Sequence, residues 1–301
     1  VAPENGRVLF ETDEYGLARA NIRSRFAERI LLELGSFPAR SFEELFEGVR
    51  ALPFEDWLPR DAVFPVKGWS LESKLYSVPD CQSIIKKAAA VRMGRAYGLE
   101  RMPETGELYQ IQFSIMKDEA RIYLDTTGTG LHKRGYRPAQ VAAPLRETLA
   151  AALVDIAGYR GRAPGINRGF AAEKWRALPR DIWREEREAA RAREFSGEYR
   201  IFGSDIDPKA VEISRANAER AGVADIVEFS VADAREFSRT TERGVIVTNP
   251  PYGERLMEKR EAERLYTDFG KAFSRVKGWD LCLLSSHTEF ERCFGALAGK
   301  R

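Results

Sequence analysis

Ile201-Phe-Gly-Ser-Asp-Ile-Asp-Pro-Lys209 decides the fold of the second half of the chain. An apolar run ends on acidic residues, and Asp207-Pro208 then opens a helix, aspartate as cap and proline at the first helical position. Outward from it the pattern repeats. Apolar runs at Tyr199 to Gly203, Ile226 to Val231, Gly244 to Thr248 and Leu281 to Leu284 predict strands. Helical patterns at Lys209 to Ala221 and Glu258 to Val276 lie between them. Strands alternating with helices predict an α/β, doubly wound, mostly parallel sheet, which binds ligands beyond the carboxyl ends of its strands. Upstream, Pro144 to Ala157 predicts a helix, and Ala171 to Phe195 a long charged one broken at Pro179.

The first half has a different character. Tyr15 to Gly35 carries Leu17, Ala20, Ile22, Phe26, Ile30, Leu31 and Leu34 near a 3.6 period, predicting one long helix. Ser41 and Glu44 are spaced as a capping box for a helix to Arg50. Val63 to Val66 reads as a short strand. Ser77-Val-Pro-Asp80 opens another helix, with Ser77 as cap and Asp80 reaching back. Leu108 to Met116 and Glu119 to Asp125 alternate apolar and polar residues around Lys117-Asp118, a hairpin pattern. This half is an α+β module ending in a basic loop.

Composition bounds the function. The 301 residues suit two ordinary domains, and 44% hydrophobic with 31% charged residues can bury a core. No uncharged apolar run approaches the roughly 18 residues of a membrane-spanning helix, and the acidic start VAPENGRVLFETDE lacks a signal-peptide pattern. Cys81, Cys282 and Cys293 form no CxxC pair and there are two histidines, so a reduced, cytoplasmic, metal-free protein is expected. Net charge is only +2, but Lys67 to Gly98 holds 6 basic and 2 acidic residues, and Gly128 to Arg146 four basic and none acidic. Two such segments suggest a local anionic contact, the other reading being a solvated face.

The sharpest chemical signal is Val245-Ile-Val-Thr-Asn-Pro-Pro-Tyr-Gly253. Two prolines make the turn after the strand rigid. Asn249 offers an amide oxygen and Pro250 a backbone carbonyl beside it. Together they can accept both hydrogens of a planar amine and aim its lone pair at an electrophile. Tyr252 offers a face on which a base can stack. Asp205, at a strand end, suits a ribose diol, with Ile206 beside it, while Asp207 is mainly a helix cap. Asp233 is a third carboxylate in the same layer, as cofactor ligand or as loop cap. His132, His287 and Cys81 read as packing or surface residues, and the five tryptophans as core or interface residues.

Asp205-Ile-Asp-Pro208, Asp233 and Asn249-Pro-Pro-Tyr252, in this order, resemble class I S-adenosylmethionine-dependent methyltransferases acting on exocyclic amines. SFEELFEGV, LPFEDWLP, FPVKG, SVPDCQSIIKKA and DTTGTGLHKRGYR resemble a THUMP RNA-binding domain with its ferredoxin-like partner. APLRETLAAAL and RAPGINRGFAAEKW resemble the methyltransferase half. Together they resemble the bacterial THUMP methyltransferases of the 23S rRNA guanine-N2 family, whose members are often labelled DNA adenine methylases. The resemblance implies a partial ferredoxin-like domain over 1–60, a THUMP-like domain over 61–140 and a methyltransferase domain over 141–301. It implies S-adenosyl-L-methionine as cofactor, held by Asp205, Ile206 and Asp233, with Asn249, Pro250 and Tyr252 at the reacting amine. It also implies large-subunit ribosomal RNA as partner, contacted by Lys86, Lys87, Lys133, Arg134 and Arg137. Adenine in DNA, a protein glutamine amide, or RNA binding with an inactive cofactor site are the alternatives.

The sequence departs from that family in one place that bears on chemistry. The family carries an Asp-Pro-x-Cys-Gly-Ser-Gly-Thr loop after its first sheet strand, and Gly158-Tyr-Arg-Gly-Arg-Ala-Pro-Gly165 stands in its place. A parallel sheet without its central strand leaves neighbouring backbone groups unpaired. Residues are therefore expected to be missing, with a break between about Gly158 and Gly165. The chain also starts inside the ferredoxin-like domain and stops before the last sheet hairpin of the family.

Overall fold

The computed structural model describes residues 2–4, 6–138, 145–158, 163–194, 200–239, 241–252 and 258–299. The expected break falls on residues 159–162, outside the described residues, as do Pro144, Phe195, Tyr199 and Gly253. In chain order the elements are β1 (Ala2–Glu4), β2 (Arg7–Leu9), α1 (Glu14–Arg23), β3 (Leu31–Pro38), α2 (Phe42–Ala51), β4 (Val66–Leu71), α3 (Val78–Tyr97), β5 (Ile111–Met116) and β6 (Glu119–Asp125). There follow α4 (Glu147–Ile156), α5 (Asp181–Arg191), β7 (Ile201–Asp205), α6 (Pro208–Ala221), β8 (Val227–Val231), β9 (Gly244–Thr248), α7 (Lys259–Ser274), β10 (Trp279–Leu283) and α8 (Phe290–Phe294). The chain forms two compact units, 1–131 with 163–193, and 132–162 with 194–301.

In the first unit a four-stranded sheet has the order β3-β6-β5-β4, with β4 parallel to β5 and the other pairs antiparallel. The hairpin turn is as read: Lys117 (φ 53°) and Asp118 (φ 62°) both take the left-handed conformation of a two-residue turn that matches strand twist. Half of the capping box expected at α2 is present: Ser41 accepts from the Glu44 amide at 3.1 Å, while Glu44 reaches one residue further back, to the Arg40 amide at 2.7 Å instead of the Ser41 amide. Ile85, Ala88, Ala89 and Met93 of α3 are buried, with Ile111, Phe113, Ile122 and Leu124 of the sheet, in one core. Residues 163–193 belong to that core. Trp175 stacks on Tyr109 at 5.2 Å, and Phe170 stacks on Trp183 at 5.4 Å.

Several elements differ from the sequence reading. The single helix expected over Tyr15 to Gly35 ends at Arg23, and Leu31–Pro38 is a strand paired with β6. Ile30, Leu31 and Leu34 fit a helical period, but a long-range ladder outweighs that local preference. The strand expected at Val63 to Val66 begins at Val66; Val63 makes only an isolated bridge to Leu108. Ser77 precedes α3, but its side chain makes no capping bond, so Pro79 and the Ser77 carbonyl define that start. The long helix expected over Ala171 to Phe195 is a short 3-10 turn at Ala171–Lys174 followed by α5, with Pro179 between them.

In the second unit the α/β alternation stands. Asp207 caps α6 by accepting from the Lys209 amide at 2.9 Å, with Pro208 at the first helical position. Among the described residues the strands form two parallel ladders, β7 with β8 and β9 with β10. Ile246, Leu281 and Leu283 pack against Ala262, Tyr266 and Phe269 of α7 and Phe290 and Phe294 of α8. On the other face of β9, Val245 and Val247 are 40% and 38% exposed, unusual in a sheet type covered on both sides. Next to them Cys282 sits 3.5 Å from the Leu153 carbonyl of α4.

Candidate active site

Strand register delivers the predicted residues to carboxyl ends. Asp205 is the last residue of β7, opposite Val231, the last of β8, and the Ala232 amide donates to the Asp205 carbonyl at 3.0 Å. Asp205 and Asp233 are thus brought to the same end of one ladder. One Asp205 oxygen accepts from the Asp207 amide at 2.9 Å; the other makes no bond among the described residues. Ile206 beside it is 62% exposed. Asp233 has more to do than the sequence revealed. It caps the 3-10 turn Ala234–Glu236 and takes both nitrogens of one Arg235 edge, at 2.9 and 2.5 Å. That guanidinium holds the Asp233 carboxyl below the usual carboxylate range. Of the two readings of Asp233, the loop cap is what the structure shows, with Arg235 paired to the same carboxylate.

Asn249 follows β9 directly, and the Asn249–Tyr252 turn is half-buried. The Tyr252 hydroxyl donates to Asn249 Oδ1 at 2.7 Å, fixing the amide plane. An amide oxygen has two lone pairs, so one acceptor position remains on Asn249, beside the Pro250 carbonyl. Sequence reasoning missed a further residue. Tyr266 of α7, fully buried, donates its hydroxyl to the Pro251 carbonyl. Its spacing from Ala262 and Phe269 marks a core position, and nothing local signals a polar duty.

The five expected RNA contacts divide between the two units. Lys86 and Lys87 lie in the first unit; Lys133, Arg134 and Arg137 lie in the second. Lys86 is engaged internally: its ammonium pairs with Glu104 at 2.6 Å, donates to the Phe64 carbonyl at 3.1 Å and sits 3.6 Å from the Phe64 ring centre. Arg137 donates to the Leu145 carbonyl at 3.0 Å and lies 3.4 Å from Glu147. Lys87 and Lys133 are exposed. No cluster of three or more His, Cys, Asp or Glu that could hold a metal occurs among the described residues, and no helix there is long and apolar enough to cross a membrane. Cys81 is buried, which pushes its thiol up, and the His287 side chain is 3% exposed; both are packing residues.

Comparison with known proteins decides the family. Residues 134–300 match the model of the RMKL-like methyltransferase domain, residues 39–125 the THUMP domain, and residues 1–31 the RlmL ferredoxin-like domain. The chain belongs to the RMKL-like methyltransferases. It is 40% identical to "Putative RNA methyltransferase YpsC" of Bacillus subtilis (strain 168), over 99% of this chain and 84% of that one. It is 34% identical to the ribosomal RNA large subunit methyltransferase K/L of Psychromonas ingrahamii, over 98% of this chain but 44% of that protein. Among solved structures, "SMU.472, a putative methyltransferase complexed with SAH" superposes with a TM-score of 0.92 at 36% identity, covering 99% of this chain and 86% of that one. The YpsC alignment runs over 325 residues against a chain of 301, so at least 24 of its positions have no counterpart here.

An unpartnered Asp205 oxygen beside an exposed Ile206 suits the ribose and the purine edge of an adenosyl cofactor. For the amino-acid half, the described residues offer no glycine-rich turn between α4 and β7.

Proposed function

We propose that this chain is an RNA methyltransferase that uses S-adenosyl-L-methionine to methylate the exocyclic 2-amino group of guanine in large-subunit ribosomal RNA. The observation that carries the reading is the Asn249–Tyr252 turn, with its remaining amide acceptor and the Pro250 carbonyl, in a chain that also matches a THUMP domain. A ribosomal substrate also places the work in the cytoplasm. When bound, the cofactor supplies a methyl on a sulfonium, already a good leaving group. The protein's task is therefore alignment. Asn249 and Pro250 each accept one hydrogen of the amine, which turns its lone pair toward the methyl carbon. Tyr252 orients Asn249 and stacks on a base taken out of its helix. Asp205 holds the ribose diol, Ile206 lies along the purine, and Asp233 takes the purine amino group once Arg235 releases it. The displaced amine proton leaves to water. Lys86, Lys87, Lys133, Arg134 and Arg137 contact phosphates, internal partners such as Glu104 of Lys86 and Glu147 of Arg137 giving way to them.

The turn alone suits adenine in DNA or a glutamine amide equally well; the THUMP match favours RNA. One observation favours RNA binding with an inactive cofactor site: no glycine-rich loop stands between α4 and β7. Titration calorimetry with S-adenosylmethionine separates these readings. Saturable binding, with methyl transfer to 23S rRNA fragments mapped by mass to a guanine, supports the enzyme. Tight RNA binding without cofactor heat supports the inactive form.

A further inference from the structure

Behind the Asn249–Tyr252 turn lies a chain of polar groups that the reaction described above does not use. The His287 amide donates to Ser285 Oγ at 3.1 Å. The Tyr266 hydroxyl donates to the Pro251 carbonyl. The Leu284 amide, at the end of β10, donates to the Thr248 carbonyl at 3.2 Å. The end of β10 is thus tied to the end of β9, and Tyr266 of α7 is the strut under the turn that follows. The ring is held on two sides, 4.7 Å from Phe290 and edge-on to His287 at 5.4 Å and 84°. His287 is itself fixed. Its Nδ1 accepts from the Glu289 amide at 3.2 Å, and Nε2 points at Glu263, 3.4 Å away. Burial raises the Tyr266 phenol above its ordinary value, so it stays protonated and a donor.

We propose that Tyr266 is a positioning residue for methyl transfer: its hydroxyl locks the Pro251 carbonyl and so fixes the Asn249 and Pro250 acceptors. The inference rests on the reading of this turn as the amine site. The physical need is specific. Pro250 and Pro251 contribute no amide hydrogens, so the middle of the turn cannot be tied down through backbone donors. Its carbonyls are what remains, and Pro250's must stay free for the substrate. Pro251's carbonyl is the one available for anchoring, and it is the one that Tyr266 takes.

The test uses the full chain with Tyr266→Phe, which keeps the ring packing and removes only the strut. Hydrogen–deuterium exchange is read on the peptide covering 244–252, whose amides at Asn249 and Tyr252 flank the prolines. We expect exchange there to quicken about tenfold, with α6 and the first unit unchanged. In methylation assays Tyr266→Phe should lower kcat about tenfold, leaving KM for RNA and cofactor affinity unaltered. Unchanged exchange in Tyr266→Phe overturns the inference, whatever the activity. Full activity in Asn249→Ala overturns the reading of the turn and, with it, the catalytic consequence claimed for Tyr266.

Discussion

Replacing Asp125 by asparagine should unseat the loop that closes the first unit. The carboxylate is 1% exposed. One oxygen accepts the Thr127 and Gly128 amides at 3.0 and 3.2 Å; the other accepts Gln112 Nε2 at 2.9 Å and the Arg29 guanidinium. Asparagine keeps an oxygen for the two backbone amides. Its NH2 then faces two other donors, and the ion pair is gone. Breaking a buried pair costs about 3–5 kcal/mol, and single charged hydrogen bonds about 1.5–3. Arg29 is 39% exposed and rehydrates, so a loss of about 2–4 kcal/mol is expected. With an m-value near 2 kcal/mol/M in urea, the midpoint falls by about 1–2 M. Tryptophan fluorescence is the assay, because Trp57, Trp69, Trp175 and Trp183 all lie in the first unit. That transition is fitted alone, since two units do not unfold as one. A midpoint within about 0.3 M of wild type at equal m would refute the reasoning.

Asn249→Ala should lower kcat by the equivalent of about 1–3 kcal/mol while calorimetry shows cofactor affinity intact; equal loss of cofactor affinity would put Asn249 in the wrong role. The Lys87→Ala/Lys133→Ala/Arg134→Ala variant should bind RNA more weakly, its log affinity falling less steeply with log salt by roughly 0.7–0.9 per lost contact. Filter binding over a salt series reads this, and an unchanged slope means the charges are only solvated. Gly270→Ala puts a Cβ 2.0 Å from the Phe294 carbonyl oxygen, so α8 must move. A loss of about 1–3 kcal/mol should show in the Trp279 signal on heating. Arg92 holds the Glu55 carboxyl below its ordinary value. The stability this gives is complete above the unfolded value of about 4.3 and is lost as pH falls through the lowered folded value. Glu55→Gln should therefore flatten acid unfolding below about pH 5.

What the sequence made legible was local. Asp207-Pro208, Ser41 with Glu44, and Lys117-Asp118 each form the cap or turn that their chemistry dictates, because partners lie within four residues. The carboxyl-end placement of Asp205, Asp233 and Asn249 followed from strand alternation alone. What escaped was long-range. Leu31 to Pro38 is a strand because β6, some 90 residues on, pairs with it. Lys86 reads as a solvated charge until Glu104 and the Phe64 ring are brought beneath it. Asp233 and Arg235 are two residues apart, yet only geometry shows their carboxylate and guanidinium meeting edge to edge. Tyr266 carries a hydroxyl bond to Pro251 that no periodicity announces.

The first unit is discontinuous, and that sets an order of events on the ribosome. Arg19 of α1 pairs with Glu186 of α5, 167 residues later, at 2.6 Å. At about 5–20 residues per second, α1 waits roughly 8 to 33 s for that partner to be synthesised. Tyr109 likewise waits for Trp175 to cover it. In the interval the nascent sheet displays apolar surface that residues 163–193 will later bury, an opening for a holdase chaperone. Translation that halts before about residue 163 therefore yields a core lacking Phe170, Trp175 and Trp183, a fragment destined for proteolysis rather than a smaller stable domain.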